Sequence, residues 1–94
     1  MQKYEINFII NKKLTHQGRL DITKSIIQSI LDYKGIVTGV NYLGILPTFL
    51  KKNIVEKNKY LMLDAYLNPL QVQNILRIMK QNDNIINYMV IKNK

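Results

Sequence analysis

The apolar residues of this chain change their spacing in a fixed order, and that order restricts the fold more than any single motif does. Tyr4-Glu5-Ile6-Asn7-Phe8-Ile9-Ile10 alternates, placing Tyr4, Ile6, Phe8 and Ile10 on one face of a strand, with Ile9 an apolar exception on the other. The spacing then lengthens. Ile22, Ile26, Ile27, Ile30 and Leu31 form one stripe of a helix that Thr15 can cap and that runs to about Tyr33. Gly35 stands where a left-handed residue would end it. Val37 to Leu46 returns to strand character, with Gly39 as a candidate bulge, and Tyr60 to Leu67 gives a third strand. Asn68-Pro69 is a helix-start signal, and Val72, Ile75, Leu76 and Met79 form the stripe that follows. Ile85 to Lys92 closes the chain as a fourth strand.

Strand, helix, strand, strand, helix, strand is the order of the ferredoxin-like split βαβ. With right-handed crossovers it predicts an α+β fold, a four-stranded antiparallel sheet with both helices on one face, as a single domain over residues 1–94. Phe8, Ile26, Ile30, Val40 and Leu76 are expected to share its core. A chain of 94 residues with 47% hydrophobic content can bury such a core unaided. No apolar run reaches the ~20 residues of a membrane span. The opening residues read as folded structure and not as a targeting segment. With no cysteine, disulfides and thiolate metal sites are excluded.

The formal charge is +8, and twelve of the fourteen cations are lysine. Abundant Ile, Asn and Lys together suggest an A/T-rich genome, so lysine position carries more than lysine number. The segment "PTFLKKNIVEKNKY" (residues 47–60) joins the second and third strands and has a net charge of +3 over Lys51 to Lys59. In the expected topology Lys12, Lys13, Lys51, Lys52, Lys57, Lys59 and Lys80 collect at one end of the molecule. Lys3, Lys34, Lys92 and Lys94 collect at the other. Lysines crowded at one edge repel each other, and a polyanion relieves that repulsion, so an anionic partner is expected there.

Catalytic chemistry is hard to assemble from these residues, and no enzyme is expected. His16 is the only histidine, near a helix start, and reads as solvated or capping. The six carboxylates show no acid–base spacing. Asp64, mid-strand, reads first as a structural hydrogen-bonding group. The four glycines are dispersed, so no phosphate-cradling loop is present. The loop after the first strand, Asn11-Lys12-Lys13-Leu14, lacks the arginine that acylphosphatases of this fold require, and "NKYLMLDAY" lacks the glycine and central aromatic of an RNA-recognition motif. No cofactor, metal or small-molecule substrate is implied. The third strand is apolar on both faces, so whichever face is open keeps a patch suited to a protein partner.

"YEINFII", "GIVTGVNYLG" from Gly35 to Gly44, Tyr60, Pro69 and "NDNIINYMVIK" from Asn82 to Lys92 together resemble the family of the sixth protein of the bacterial-type small ribosomal subunit. The resemblance runs over essentially the whole chain and repeats the order of elements derived above. It implies a structural component of the small ribosomal subunit, in translation. Its partners would be the central domain of small-subunit rRNA and the eighteenth small-subunit protein. RNA-binding candidates are Lys51, Lys52, Lys57, Lys59, Lys12, Lys13, Lys80, Lys3 and Lys92. The family's sheet alternation would point Tyr60, Met62 and Tyr66 at the helices, leaving Ile9, Leu61, Leu63, Met89 and Ile91 as the protein-facing surface. The family's usual arginine pair after the second-strand glycine is Ile45 and Leu46 here, and its fourth-strand arginine is Asn87. "LP" followed by lysines is closer to mitochondrial or other organellar members, with a bacterial ribosome as the alternative. A different class of reading is a regulatory domain of this fold that binds a metabolite or acts as an oligomerisation module.

Overall fold

The computed structural model describes residues 1–49 and 55–93. Its elements are β1 (Gln2–Ile10), α1 (His16–Asp32), β2 (Ile36–Phe49), β3 (Val55–Leu67), α2 (Val72–Gln81) and β4 (Ile85–Lys92). The four strands form one sheet in the order β2-β3-β1-β4 with every neighbour antiparallel. This is the ferredoxin-like arrangement that the periodicities predict.

Local chemistry sets most of the boundaries. Thr15 has an extended backbone, and its Oγ1 accepts from Gly18 N at 3.0 Å, satisfying one of the donors left over at a helix start. Asn68 caps a single 3-10 turn over Pro69–Gln71 through Leu70 N, and α2 continues from it. The end of α1 differs from expectation. Lys34, not Gly35, takes the left-handed conformation, at φ 65°. Gly35 N then donates to Ile30 O at 2.8 Å and Lys34 N to Leu31 O at 3.0 Å, which closes a Schellman motif. Glycine is needed at 35 for space: a Cβ there would stand 2.6 Å from Leu67 Cδ2 and 2.7 Å from Ile30 Cγ2. Gly35→Ala is expected to cost about 1–3 kcal/mol in urea unfolding through this overpacking.

The core lies between the helices and one face of the sheet. Tyr4, Ile6 and Phe8 of β1 stand opposite Ala65, Leu63 and Leu61 of β3, and Ile10, Leu67, Ile26, Ile30, Ile75 and Met79 complete the buried cluster. Leu76 packs at the margin of this cluster. Val40 does not join it. It pairs with Leu63 on edge strand β2 but is 50% exposed, because the helices cover that edge only in part. Ile30→Ala is therefore expected to cost roughly 2–5 kcal/mol, and Val40→Ala less than about 1 kcal/mol. Chemical denaturation of the two variants measures the difference.

β2 and β3 also reach further than the sequence suggests. Their pairing continues through Leu46↔Asn58 and Pro47↔Lys57 to Phe49↔Val55, beyond the last contact of β3 with β1 at Ile10↔Lys59. Residues 47–49 and 55–58 of "PTFLKKNIVEKNKY" are thus part of a two-stranded ribbon running past the body of the sheet. Register shifts fall between Val37 and Gly39 and between Tyr42 and Gly44. The first is the bulge expected near Gly39, and the second is accommodated by Gly44 at φ 90°.

Candidate nucleic-acid end and protein-facing sheet

The end of the molecule where β1 stops is held together by backbone. Asn11 N donates to Asn84 O at 3.0 Å, and Lys12 N donates to Asn58 Oδ1 at 3.3 Å. The β1–α1 turn is thereby fixed to the starts of both β4 and β3. Lys12 and Lys13 are exposed on that turn, Lys57 is exposed on the ribbon, and Lys80 is exposed in the last turn of α2. These four are brought to one end, as the topology predicts. Lys59 is there too, but its Nζ donates to Leu14 O at 2.6 Å, so its charge is committed to holding the turn. Asn58 is buried, and its Nδ2 has no hydrogen-bond partner among the described residues, a cost carried at the joint that positions the lysines. Lys3, Lys34 and Lys92 are exposed at the opposite end. Lys51, Lys52 and Lys94 lie outside the described residues.

A feature that the sequence reading passed over is Arg19. One turn into α1, its guanidinium carbon lies 3.8 Å from the centre of the Tyr42 ring on β2, within cation–π range. Its Nη2 is 2.7 Å from His16 Nδ1. The His16–Arg19 spacing of three is visible in a helix; the Tyr42 contact depends on how α1 packs on β2.

On β3 the residues that face away from the helices are the reverse of those expected. Leu61 and Leu63 are 3% and 0% exposed, in the core, whereas Tyr60, Met62, Asp64 and Tyr66 point outward. The cause is register: Leu61 stands opposite Phe8 and Leu63 opposite Ile6, and residues paired across strands share a face. Of the residues expected on the protein-facing surface, Ile9, Met89 and Ile91 are on the open side, and Leu61 and Leu63 are not. A hollow of about 260 Å³ lies there, lined by Asn7, Ile9, Tyr60, Asn87 and Met89 among others.

β2 presents a second apolar surface. It is an edge strand, and Ile36 to Phe49 contains no charged residue. Ile36, Val40, Tyr42, Leu43, Ile45 and Leu46 are all exposed. Edges this long are ordinarily protected by charge or by a covering element. Among the described residues no cluster of His, Cys, Asp and Glu could hold a metal ion, and no helix is long and apolar enough to cross a membrane.

A ferredoxin-like sheet with lysines gathered at its ends and apolar groups on its open face has the build of an assembly module. The family model for Ribosomal protein S6 matches residues 3–92, and the chain belongs to that family. It is 23% identical to the small ribosomal subunit protein bS6 of Exiguobacterium sibiricum over all 94 residues, 99% of that protein. The fold superposes on 30S ribosomal protein S6 of Thermotoga maritima with a TM-score of 0.88 at 16% identity, over 98% of this chain and 87% of that one. It also superposes on the C-terminal domain of MgtC from Mycobacterium tuberculosis, with a TM-score of 0.71 at 10% identity, over 99% and 88%. The second likeness shows that the fold alone does not carry the assignment; the family match does. Members of the family are structural, non-enzymatic components of the small ribosomal subunit, which places this chain at the ribosome. The curated relative is bacterial, and the organellar origin expected from the "LP"-and-lysine stretch gains no support from it.

Proposed function

We propose that this chain helps to build the small ribosomal subunit by binding rRNA at its β1 end and a neighbouring small-subunit protein through its sheet. The observation that carries the RNA half is the convergence of Lys12, Lys13, Lys57 and Lys80 on one end whose backbone is pinned by Asn11, Asn58 and Asn84. Lysine is a mobile point charge on a flexible stem and suits phosphate contacts that follow shape without reading bases. The central domain of small-subunit rRNA is the segment the family resemblance implies. Lys51 and Lys52 belong to the same connection in sequence and remain RNA-binding candidates on that ground alone. Lys3 and Lys92, at the other end, are a second phosphate-facing group.

The protein half is carried by the apolar open face, where Ile9 and Met89 line the hollow beside Tyr60 and Ile91 lies on the same face. The partner implied by the resemblance is the eighteenth small-subunit protein. The test is sedimentation of tagged protein from its own cells. Co-migration with small subunits, lost as salt is raised, is expected; a free small oligomer carrying a metabolite overturns the reading in favour of a regulatory domain.

A further inference from the structure

The middle of the open sheet face carries two carboxylates side by side. Glu5 of β1 stands directly across from Asp64 of β3, and both are half-buried on the side away from the helices. Only six of the residues in this chain are acidic, against fourteen cations, yet two of the six are cross-strand neighbours. Like charges at opposed sheet positions destabilise the pairing. Their hydrogen bonds do not relieve this. Asn7 Nδ2, a neutral donor, reaches Glu5 Oε1 at 3.2 Å. Thr38 Oγ1 reaches the backbone oxygen of Asp64, and not its carboxylate. The space beside Asp64 is kept open by Gly39, where a Cβ would come within 3.2 Å of Asp64 Oδ2.

Lys3, the next outward residue of β1, flanks the pair on one side, and the other side is largely apolar. Ile91 is the other cross-strand neighbour of Glu5 and is 41% exposed. One rung away Met62 and Met89 flank Asn7, with Met89 59% exposed, and the hollow of about 260 Å³ opens beside Met89. An RNA strand is the wrong occupant, because its phosphates would face two negative charges. A cation complements them. Opposed residues on neighbouring strands have Cβ atoms about 5 Å apart, a separation that a guanidinium can bridge, since its planar fork offers five donors along two edges.

We propose that this face docks a basic protein segment, with an arginine seated between Glu5 and Asp64 and an apolar side chain in the hollow beside Met89. The proposal rests on the assembly role above only for the setting in which such a partner is met. It assigns the two surfaces opposite chemistry: phosphate at the lysine-bearing ends, a cationic side chain on the sheet.

Two measurements on the 94-residue chain test it. Glu5→Gln with Asp64→Asn preserves shape and removes the repulsion, so Tm is expected to rise by a few degrees; an unchanged or lower Tm overturns the claim that the pair is frustrated. The second uses two blocked peptides of alternating valine and threonine with one central arginine, or citrulline in its place, titrated into isotope-labelled protein. The arginine peptide is expected to shift the amides around Glu5, Asp64 and Met89 and to bind about three- to tenfold more tightly than its citrulline twin. The double variant is expected to abolish that preference. Equal binding of both peptides, no binding of either at millimolar concentration, or a response of the same amides to single-stranded RNA overturns the proposal. Failure to co-migrate with small subunits would count against the assembly role and leave the peptide result standing, so the two can fail separately.

Discussion

Leu63→Glu is expected to abolish the folded state of this chain. Leu63 is fully buried, paired with Ile6 on β1 and part of the core cluster that includes Ile26 and Ile30 of α1. Truncating such a leucine to alanine already costs roughly 2–5 kcal/mol in lost transfer energy and cavity formation. A carboxylate in the same place adds the penalty of an unpaired buried charge, several kcal/mol more. The sum is comparable with the whole stability of a small domain, about 5–15 kcal/mol. Met89→Glu is expected to leave the fold intact, because Met89 is 59% exposed on the opposite side of the sheet. Far-UV circular dichroism and urea titration of the two variants distinguish them. A folded Leu63→Glu protein would mean that the sheet presents its other face to the helices.

That prediction reverses the assignment made from sequence, and the reason is specific to β3. Leu61, Leu63, Ala65 and Leu67 are one set of alternating residues; Tyr60, Met62, Asp64 and Tyr66 are the other. Period two reveals a strand but cannot choose between two faces that are both largely apolar. The choice is made by pairing with β1, whose buried set is unambiguous, and that register joins residues more than fifty positions apart. Asp64 was the local clue, since an unpaired carboxylate is costly inside a core.

Elsewhere legibility follows the same division between local and distant chemistry. Thr15, Asn68 and the bounds of β4 are set within a few residues and are read directly from the sequence. Val40 has the composition of a core residue, and its exposure comes from lying on an edge strand that the helices cover only in part. The lysine-rich connection is written as a loop in residue types but is largely strand, because pairing of β2 with β3 carries on past the body of the sheet. The lysine end was legible because topology alone brings it together; the Arg19–Tyr42 contact and the Glu5–Asp64 pair were not, because each needs a packing or register that spacing does not encode.

Replacing Lys12, Lys13 and Lys80 together by alanine is expected to flatten the salt dependence of rRNA binding while leaving stability unchanged. All three are exposed at the end that Asn11 and Asn58 tie together. Each phosphate that a lysine neutralises adds about 0.7–0.9 to the slope of log affinity against log salt, so three lost contacts remove about two to three units. Between 50 and 200 mM salt, the parent should therefore lose roughly 16- to 60-fold more affinity than the variant. Lys59 is left out of the set on purpose. Its Nζ holds Leu14 O, so Lys59→Ala would disturb the turn and mix a folding effect with a binding one. Lys24→Ala, exposed on α1 away from that end, is the control for loss of charge alone. The measurement is filter binding of a transcript of the small-subunit rRNA central domain at a series of potassium chloride concentrations. If the triple variant keeps the parental slope, the lysines at this end are solvated and the RNA lies elsewhere. If the control flattens it equally, the interaction is with net charge and not with a surface. Only a change confined to the triple variant makes the β1 end the place where phosphate is held.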